Sequence, residues 1–231
     1  MKFPFLVLLS LFIMIGCKSQ QKEHKSVGVL TPEIDFLRKG VHDSLKHLFP
    51  ILDSVFYYDQ LYRKNNNGDT IKKYSEKIRE IDSINLKKII PIIEKYGILG
   101  FGDIGSIGYY AITMTIQHAD LATQEKYLPL FREAIKKKKV LPSNYAMLED
   151  RVAYKNGQMQ IYGTQVMLLS NGKAELLPVI DIDNIDKRRD SIGMTETIEV
   201  YLKRFGIKWN LEKYKKDMPR LMEKYKLKQP I

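Results

Sequence analysis

QMQIYGTQVMLLSNGKAELLPVID, Gln158 to Asp181, is the stretch of this sequence with strand composition. Two apolar runs, QMQIYGTQVMLLS and KAELLPVID, flank Asn171-Gly172. Asn-Gly between such runs is the strongest short-range sign of a β-hairpin, because both residues tolerate the positive φ of a tight turn. Within the first run, alternation places Gln160, Tyr162 and Thr164 on one face and Ile161, Gly163 and Gln165 on the other. Gly163 in mid-strand predicts close approach of another segment. Gln165 then emerges beside Ile161, a polar side chain in an apolar row.

Outward from the hairpin the pattern changes to helix. SNYAMLEDRVAYK, opened by Pro142 and Ser143, ends near Asn156-Gly157. LATQEKYLPLFREAIKKKK precedes it, with Asp120 placed to cap its first turn. IGYYAITMTIQH comes before that, with an inward stripe of Ile107, Ala111, Met114 and His118 at spacings of four, three and four. YGILGFGDIGSIG reads as a glycine-rich link. Thr70 to Tyr96 reads as one long helix that Pro91 should kink or interrupt. Further upstream, Thr31-Pro32 opens a helix, DSVFYYDQLYRK carries helix onward, and NNNGD breaks it. Beyond the hairpin come two short helices, DNIDKRRDSIGM and TETIEVYLKRFG, and a lysine-rich tail with Trp209. The expected fold is mainly α: a helical domain with one β-hairpin, near 158–181, packed against the helices.

The N-terminus sets the compartment. Lys2 precedes an apolar run, FPFLVLLSLFIMI, shorter than the roughly 20 residues a spanning helix needs but right for a secretory signal. MIGC, Met14 to Cys17, resembles a bacterial lipobox, with Met14 where leucine is usual. Residues 1–16 are therefore expected to be a lipoprotein signal peptide. Cys17 is the expected lipidation site, and 17–29 a flexible tether. Residues 30–231 make a single domain large enough to bury a real core. Cys17 is the sole cysteine, so no internal disulfide is possible. The expected place is the Gram-negative cell envelope, lipid-anchored to the outer membrane and facing the periplasm. The expected partners are the membrane, through Cys17, and an unknown small-molecule or protein ligand. The formal charge of +11 is spread over helix faces rather than gathered in a patch, so nucleic acid is not expected.

Several chemistries fail on spacing. GFGDIG, Gly100 to Gly105, has the G-x-G-x-x-G form, but a helix precedes it and no βαβ alternation surrounds it. Its glycines suit a tight corner between helices. His42 and His47 are five residues apart, whereas two imidazoles closing a metal from one helix need three or four, and His24 lies in the tether. No metal and no cofactor is expected. No G-x-S-x-G nucleophile elbow occurs.

What remains is polar residues in apolar company. His118 ends a run built for burial, with Gln117 beside it. Asp59 and Arg63 stand at i, i+4 with Gln60 adjacent, a spacing ordinarily found in surface ion pairs. Asp150 and Arg151 lie on an apolar helix, and Arg188 and Arg189 follow the hairpin.

DQLYR, QHAD followed by QEKYLPLF, LEDRVAYKNGQMQIYGTQ, LLPVIDIDNIDKRRDSIGM and EVYLKRF, in that order, resemble the DUF6624 family from about Asp59 to Phe205. The family is common among exported proteins of Bacteroidota and also occurs in actinobacteria. The resemblance implies no particular activity. The pattern it matches includes Gln117, His118, Asp150, Arg151, Gln160, Tyr162, Gly163, Thr164, Gln165, Asp181, Arg188 and Arg189, a mostly polar set.

Three readings follow. In the first, an envelope hydrolase or transferase uses His118 as general acid/base, since an unperturbed imidazole titrates at about 6.5. Asp150 orients it or shares its proton. Arg151 and Arg188 grip an anionic group, and Gln117, Tyr162 and Gln165 position the substrate. Asp59, Gln60, Arg63, Asp120, Gln160, Asp181 and Arg189 support the site. In the second, the same residues recognise a ligand or protein without turnover. In the third, they form a satisfied buried network.

Overall fold

The structure is a computed structural model that describes residues 41, 43–63 and 73–228. The signal, the tether, Cys17, His24, His42, the helix start at Thr31-Pro32 and the break at 65–69 lie outside the described residues. A 3₁₀ turn, Asp43–Leu48, leads into α1, Phe49–Leu61, with Pro50 in its first turn, where a missing N–H costs nothing. Leu48, Leu52, Val55 and Asp59 follow at spacings of four, three and four, and all four are buried. The inward face of α1 thus ends in a carboxylate.

α2 spans Ser75–Tyr96 and continues through Pro91 without interruption. Pro91 and Lys87, whose carbonyl the proline cannot engage, are both exposed, so water can satisfy that oxygen. Gly97, at φ 70°, ends the helix. The glycine-rich link is mostly helical: α3 spans Phe101–His118 with a sharp break at Gly105, φ 70° and ψ 177°. It is nonetheless a corner. A Cβ on Gly100 would lie 2.8 Å from the Lys139 carbonyl oxygen, and one on Gly108 would lie 3.0 Å from Leu52. The single inward stripe expected for α3 is also exceeded. From Ala111 to Gln117 every residue is buried, while Ile107 is half-exposed. α3 is the central helix, surrounded by α1, α2, α4 (Leu121–Lys136) and α5 (Pro142–Lys155). Asp120 caps α4 as expected, accepting from the Thr123 N–H at 2.8 Å.

The hairpin pairs β1, Val166–Leu168, with β2, Ala174–Leu176, in the register Val166↔Leu176 and Leu168↔Ala174. Its turn contains Asn171-Gly172 but is a three-residue loop. Gly172 N–H bonds the Leu169 carbonyl at 3.0 Å, Leu169 N–H bonds the Lys173 carbonyl at 2.8 Å, and Gly172 takes φ 76°. The ladder is shorter than the composition suggests. Residues 160–165 form a buried loop rather than an alternating strand, meeting the second run at a parallel bridge, Gln160↔Val179, and through the Leu177 N–H, which donates to the Gln165 carbonyl at 3.2 Å. Gly163, at φ 71°, is the point of close approach: a Cβ there would lie 2.7 Å from Ile185 and 2.8 Å from Ile198.

A 3₁₀ turn, Ile182–Asn184, leads to the two short helices, α6 (Ile185–Ser191) and α7 (Ile198–Lys203). The lysine-rich tail is itself a helix, α8, Leu211–Tyr225, capped by Asn210. The buried apolar residues fall into two clusters. One joins α1 to α5 with Tyr162; the other joins the hairpin to α6, α7 and α8. No helix among the described residues is long and apolar enough to cross a membrane.

Candidate functional site

α1, α2 and α3 meet in a charged cluster. Asp59, 2% exposed, stands at the end of the α1 core stripe. His118, in the last turn of α3, places its Nδ1 2.7 Å from Asp59 Oδ1. Gln60 donates to Asp59 Oδ2 at 2.8 Å. Arg63 donates to Asp59 Oδ1 at 2.9 Å and, through Nη2, to both oxygens of Asp82 on α2 at 2.8 Å. The Asp59–Arg63 pair is thus no surface pair but the inner part of a five-residue network.

Burial works against the Asp59 charge, but the His118 ring, Arg63 and Gln60 outweigh it and hold the carboxyl below its ordinary value. Burial leaves Asp82 raised, despite Arg63. An ionised Asp59 can only accept, so Nδ1 of His118 carries the proton of that bond. Among the described residues nothing hydrogen-bonds to Nε2, and the His118 side chain keeps 13% of its surface open. Two carboxylates face one guanidinium here, so proton uptake by His118 neutralises the cluster.

Ligand atoms of Asp59, Asp82 and His118 lie within 4.8 Å of one another, a set with the composition of a metal centre. Arg63 donates to both carboxylates from between them. The guanidinium already supplies the positive charge that a cation would bring, and it would have to leave for one to enter. The donor set as arranged does not fit a resident metal.

Asp150 does not meet His118. It is fully buried on α5, and its oxygens accept from the N–H groups of Ile161, Tyr162 and Thr164 and from the Thr164 hydroxyl, at 2.6 to 2.8 Å. Burial drives its pKa upward against the pull of those four donors. The expected role of orienting the imidazole falls to Asp59 because α1, not α5, carries a carboxylate to the ring. Asp150 ties the 160–165 loop to α5 instead.

Other expected site residues share that task. Gln160 closes the same loop, donating to the carbonyls of Gln165 and Leu177 and accepting from Gln165 N–H. Arg188 donates to the carbonyls of Ile161, Ile180 and Asp181, which leaves it no fork for a substrate. Asp181, exposed and left-handed at φ 42°, receives Asn184 and Arg188. Arg189, fully buried, donates to the carbonyls of Tyr162 and Glu196 and sits over the Tyr201 ring. Tyr162 enters through its backbone and packs its ring near Tyr145.

Gln117 and Arg151 come together beside His118. Arg151 Nη1 donates to the Gln117 carbonyl at 2.6 Å, and Gln124 donates to the same oxygen at 2.8 Å. The Gln117 amide donates to the Asn144 carbonyl at 3.0 Å, and Gln165 donates to the Met147 carbonyl at 3.2 Å. Lys155, exposed along its stem, tucks its amine against Gln124 Oε1 at 3.0 Å. Burial and the Arg151 charge push that amine down to about 8.

Asp82, Gln124, Asn144 and Lys155 escaped the sequence reading. Asp82 had a usable signal: it stands three residues before Asn85 and seven before Ile89, both buried on the α2 inward face. An acid in register with such a stripe is marked for burial.

No curated protein and no solved structure matches the chain. The sequence profile of DUF6624, a family of unknown function, matches residues 65–212. The match takes in Asp82, His118, Asp150, Arg151 and Gln165 and begins just after Arg63. With well over half its length covered, the chain belongs to the DUF6624 family.

Proposed function

We propose that the protein is an exported lipoprotein of the Gram-negative envelope, anchored through Cys17 to the outer membrane on its periplasmic side, and that His118 acts there as general acid/base in a hydrolytic or transfer reaction. The observation that carries the catalytic reading is the 2.7 Å contact of His118 Nδ1 with buried Asp59, beside an Nε2 with no partner among the described residues. A carboxylate on one ring nitrogen fixes the tautomer and holds the imidazole in place, leaving the other nitrogen to take and return a proton. Arg63 holds Asp59 in turn, and Asp82 holds Arg63. The extra carboxylate supplies the charge that an imidazolium needs as it forms.

The test is turnover of a panel of chromogenic esters, phosphoesters and glycosides by wild-type protein and His118→Ala. Activity should fall by about a hundredfold or more, the range of general acid/base contributions, with little change in melting temperature. A structural reading competes, because Asp59 is fully engaged by Gln60, Arg63 and His118. On that reading no substrate is turned over, and His118→Ala melts the domain early by breaking a buried pair worth about 3–5 kcal/mol. The anchor is tested separately. Mass spectrometry of the N-terminal peptide from membranes should find Cys17 acylated, and unmodified Cys17 would refute the lipoprotein reading.

A further inference from the structure

Arg151 is the anomaly among the buried charges. It is 6% exposed, and among the described residues no carboxylate lies within ion-pair distance of it. Arg189, equally deep, has Glu196 at 3.9 Å; Arg63 has two aspartates. Arg63 and Lys155 lie near enough to disfavour its charge rather than balance it. A buried charge without a counter-charge costs several kcal/mol, so the site is incomplete as it stands.

The guanidinium uses Nη1 on the Gln117 carbonyl. Nε is enclosed and has no partner, and Nη2 bonds to no described residue. Nε and Nη2 share one edge of the planar group, the fork that grips a carboxylate or phosphate with two parallel bonds. Two further enclosed atoms without partners sit on the same side of α5. Gln117 Oε1 belongs to the amide that holds the Asn144 carbonyl, and Gln165 Oε1 to the amide that holds the Met147 carbonyl. Asn144, Met147 and Arg151 are three and four residues apart, hence on one face of the helix. Both amides are oriented by the backbone oxygens to which they donate, so flipping them does not satisfy the unpaired oxygens. One unused cationic fork and two unused acceptors thus belong to side chains anchored along a common strip of α5, and Gln117 precedes His118 in the chain.

We infer that this strip is an oxyanion subsite: the Nε/Nη2 edge of Arg151 binds a carboxylate or phosphate group of a small ligand, and Gln117 and Gln165 accept from a hydroxyl or amine beside that group. The inference names the substrate class of the acid/base site and in that respect rests on the catalytic reading, but the binding stands without it. The ligand's anion supplies the missing counter-charge, and on the catalytic reading the remainder of the ligand extends to His118 Nε2. Arg188, the other candidate for this role in the sequence, is fully engaged by backbone carbonyls and takes no part.

The test follows the arginine side-chain Nε–H resonances of the full chain during titration with inorganic phosphate and, separately, with lactate. The Arg151 signal should shift saturably with at least one of them, and which one identifies the anion. Arg151→Lys keeps the charge but lacks the fork and should weaken binding by about tenfold or more. A flat Arg151 resonance with both probes overturns the inference, as does Arg151→Lys binding as tightly as wild type. Should the variant fail to fold, the resonance in the unaltered protein still decides. His118→Asn separates the two proposals. Anion binding by a wild-type protein that turns over no substrate, and kept in His118→Asn, sinks the catalytic reading and leaves the subsite. Turnover lost in His118→Asn, with no anion bound by wild type, does the reverse.

Discussion

At the scale of single residues, Asp59 governs the cluster on α1, α2 and α3. Its position on a core stripe forces it into the interior, and burial alone would disfavour its charge. His118, Arg63 and Gln60 reverse that balance. Because its folded pKa lies below the ordinary 3.8, Asp59 contributes stability in full above pH 3.8 and loses it as pH falls through the lower folded value. Asp82, raised by burial, acts in the opposite sense, contributing in full below 3.8 and losing it as pH rises through its raised value. Asp59→Asn should therefore flatten the acid side of the stability profile in urea melts taken between neutral pH and pH 3. It should also free the imidazole tautomer and lower any His118-dependent turnover by about a hundredfold or more. Turnover unchanged in Asp59→Asn would remove Asp59 from the mechanism.

At the scale of elements, the 160–165 loop is the piece that composition misassigns. Alternation of polar and apolar residues predicts a strand, yet Gln160 and Tyr162 through Gln165 are all buried. The cause is Asp150, whose four hydrogen bonds bend the backbone round one carboxylate and so replace the ladder. Gly163 makes the bend possible, with a positive φ and no room for a Cβ between Ile185 and Ile198. Gly163→Ala should destabilise the protein by about 1–3 kcal/mol, combining left-handed strain with displaced isoleucines, and a thermal melt measures it. The prolines teach the complementary lesson. Pro91, Pro129 and Pro219 sit inside helices on exposed positions, where water can reach the carbonyl each leaves free.

At the scale of the whole molecule, the two apolar clusters are joined through that loop. Asp150 ties it to α5, Arg189 donates to the Tyr162 carbonyl from α6, and Tyr201 donates its hydroxyl to the Thr164 carbonyl at 2.7 Å from α7. The seam therefore carries the cooperativity between the five-helix part and the hairpin part. Asp150→Ala leaves three backbone donors and a hydroxyl without their acceptor and should cost about 3–5 kcal/mol. Denaturant unfolding of that variant should broaden, with a lower m-value than wild type or two transitions. A single transition of unchanged steepness would show that the clusters are coupled elsewhere.

The sequence by itself determined most of the helices, the hairpin's place, the cap at Asp120, the proline that opens α5 at Pro142, and the fact that polar residues lie among apolar ones. All of these are set by interactions within a few residues of chain: a hydrophobic period, a turn residue's φ, a side chain reaching its own backbone. Only the tertiary structure decided the pairings. Asp59 and His118 are 59 residues apart, and no spacing rule says that α1 rather than α5 brings a carboxylate to that ring. The same holds for Asp82 at Arg63 and for the division of the arginines, with Arg188 and Arg189 taken up by carbonyls and Arg151 left with an open fork. Such contacts arise from how packed helices rotate and slide to fill a core. The apolar stripe fixes which face turns inward, but not which neighbour it meets there.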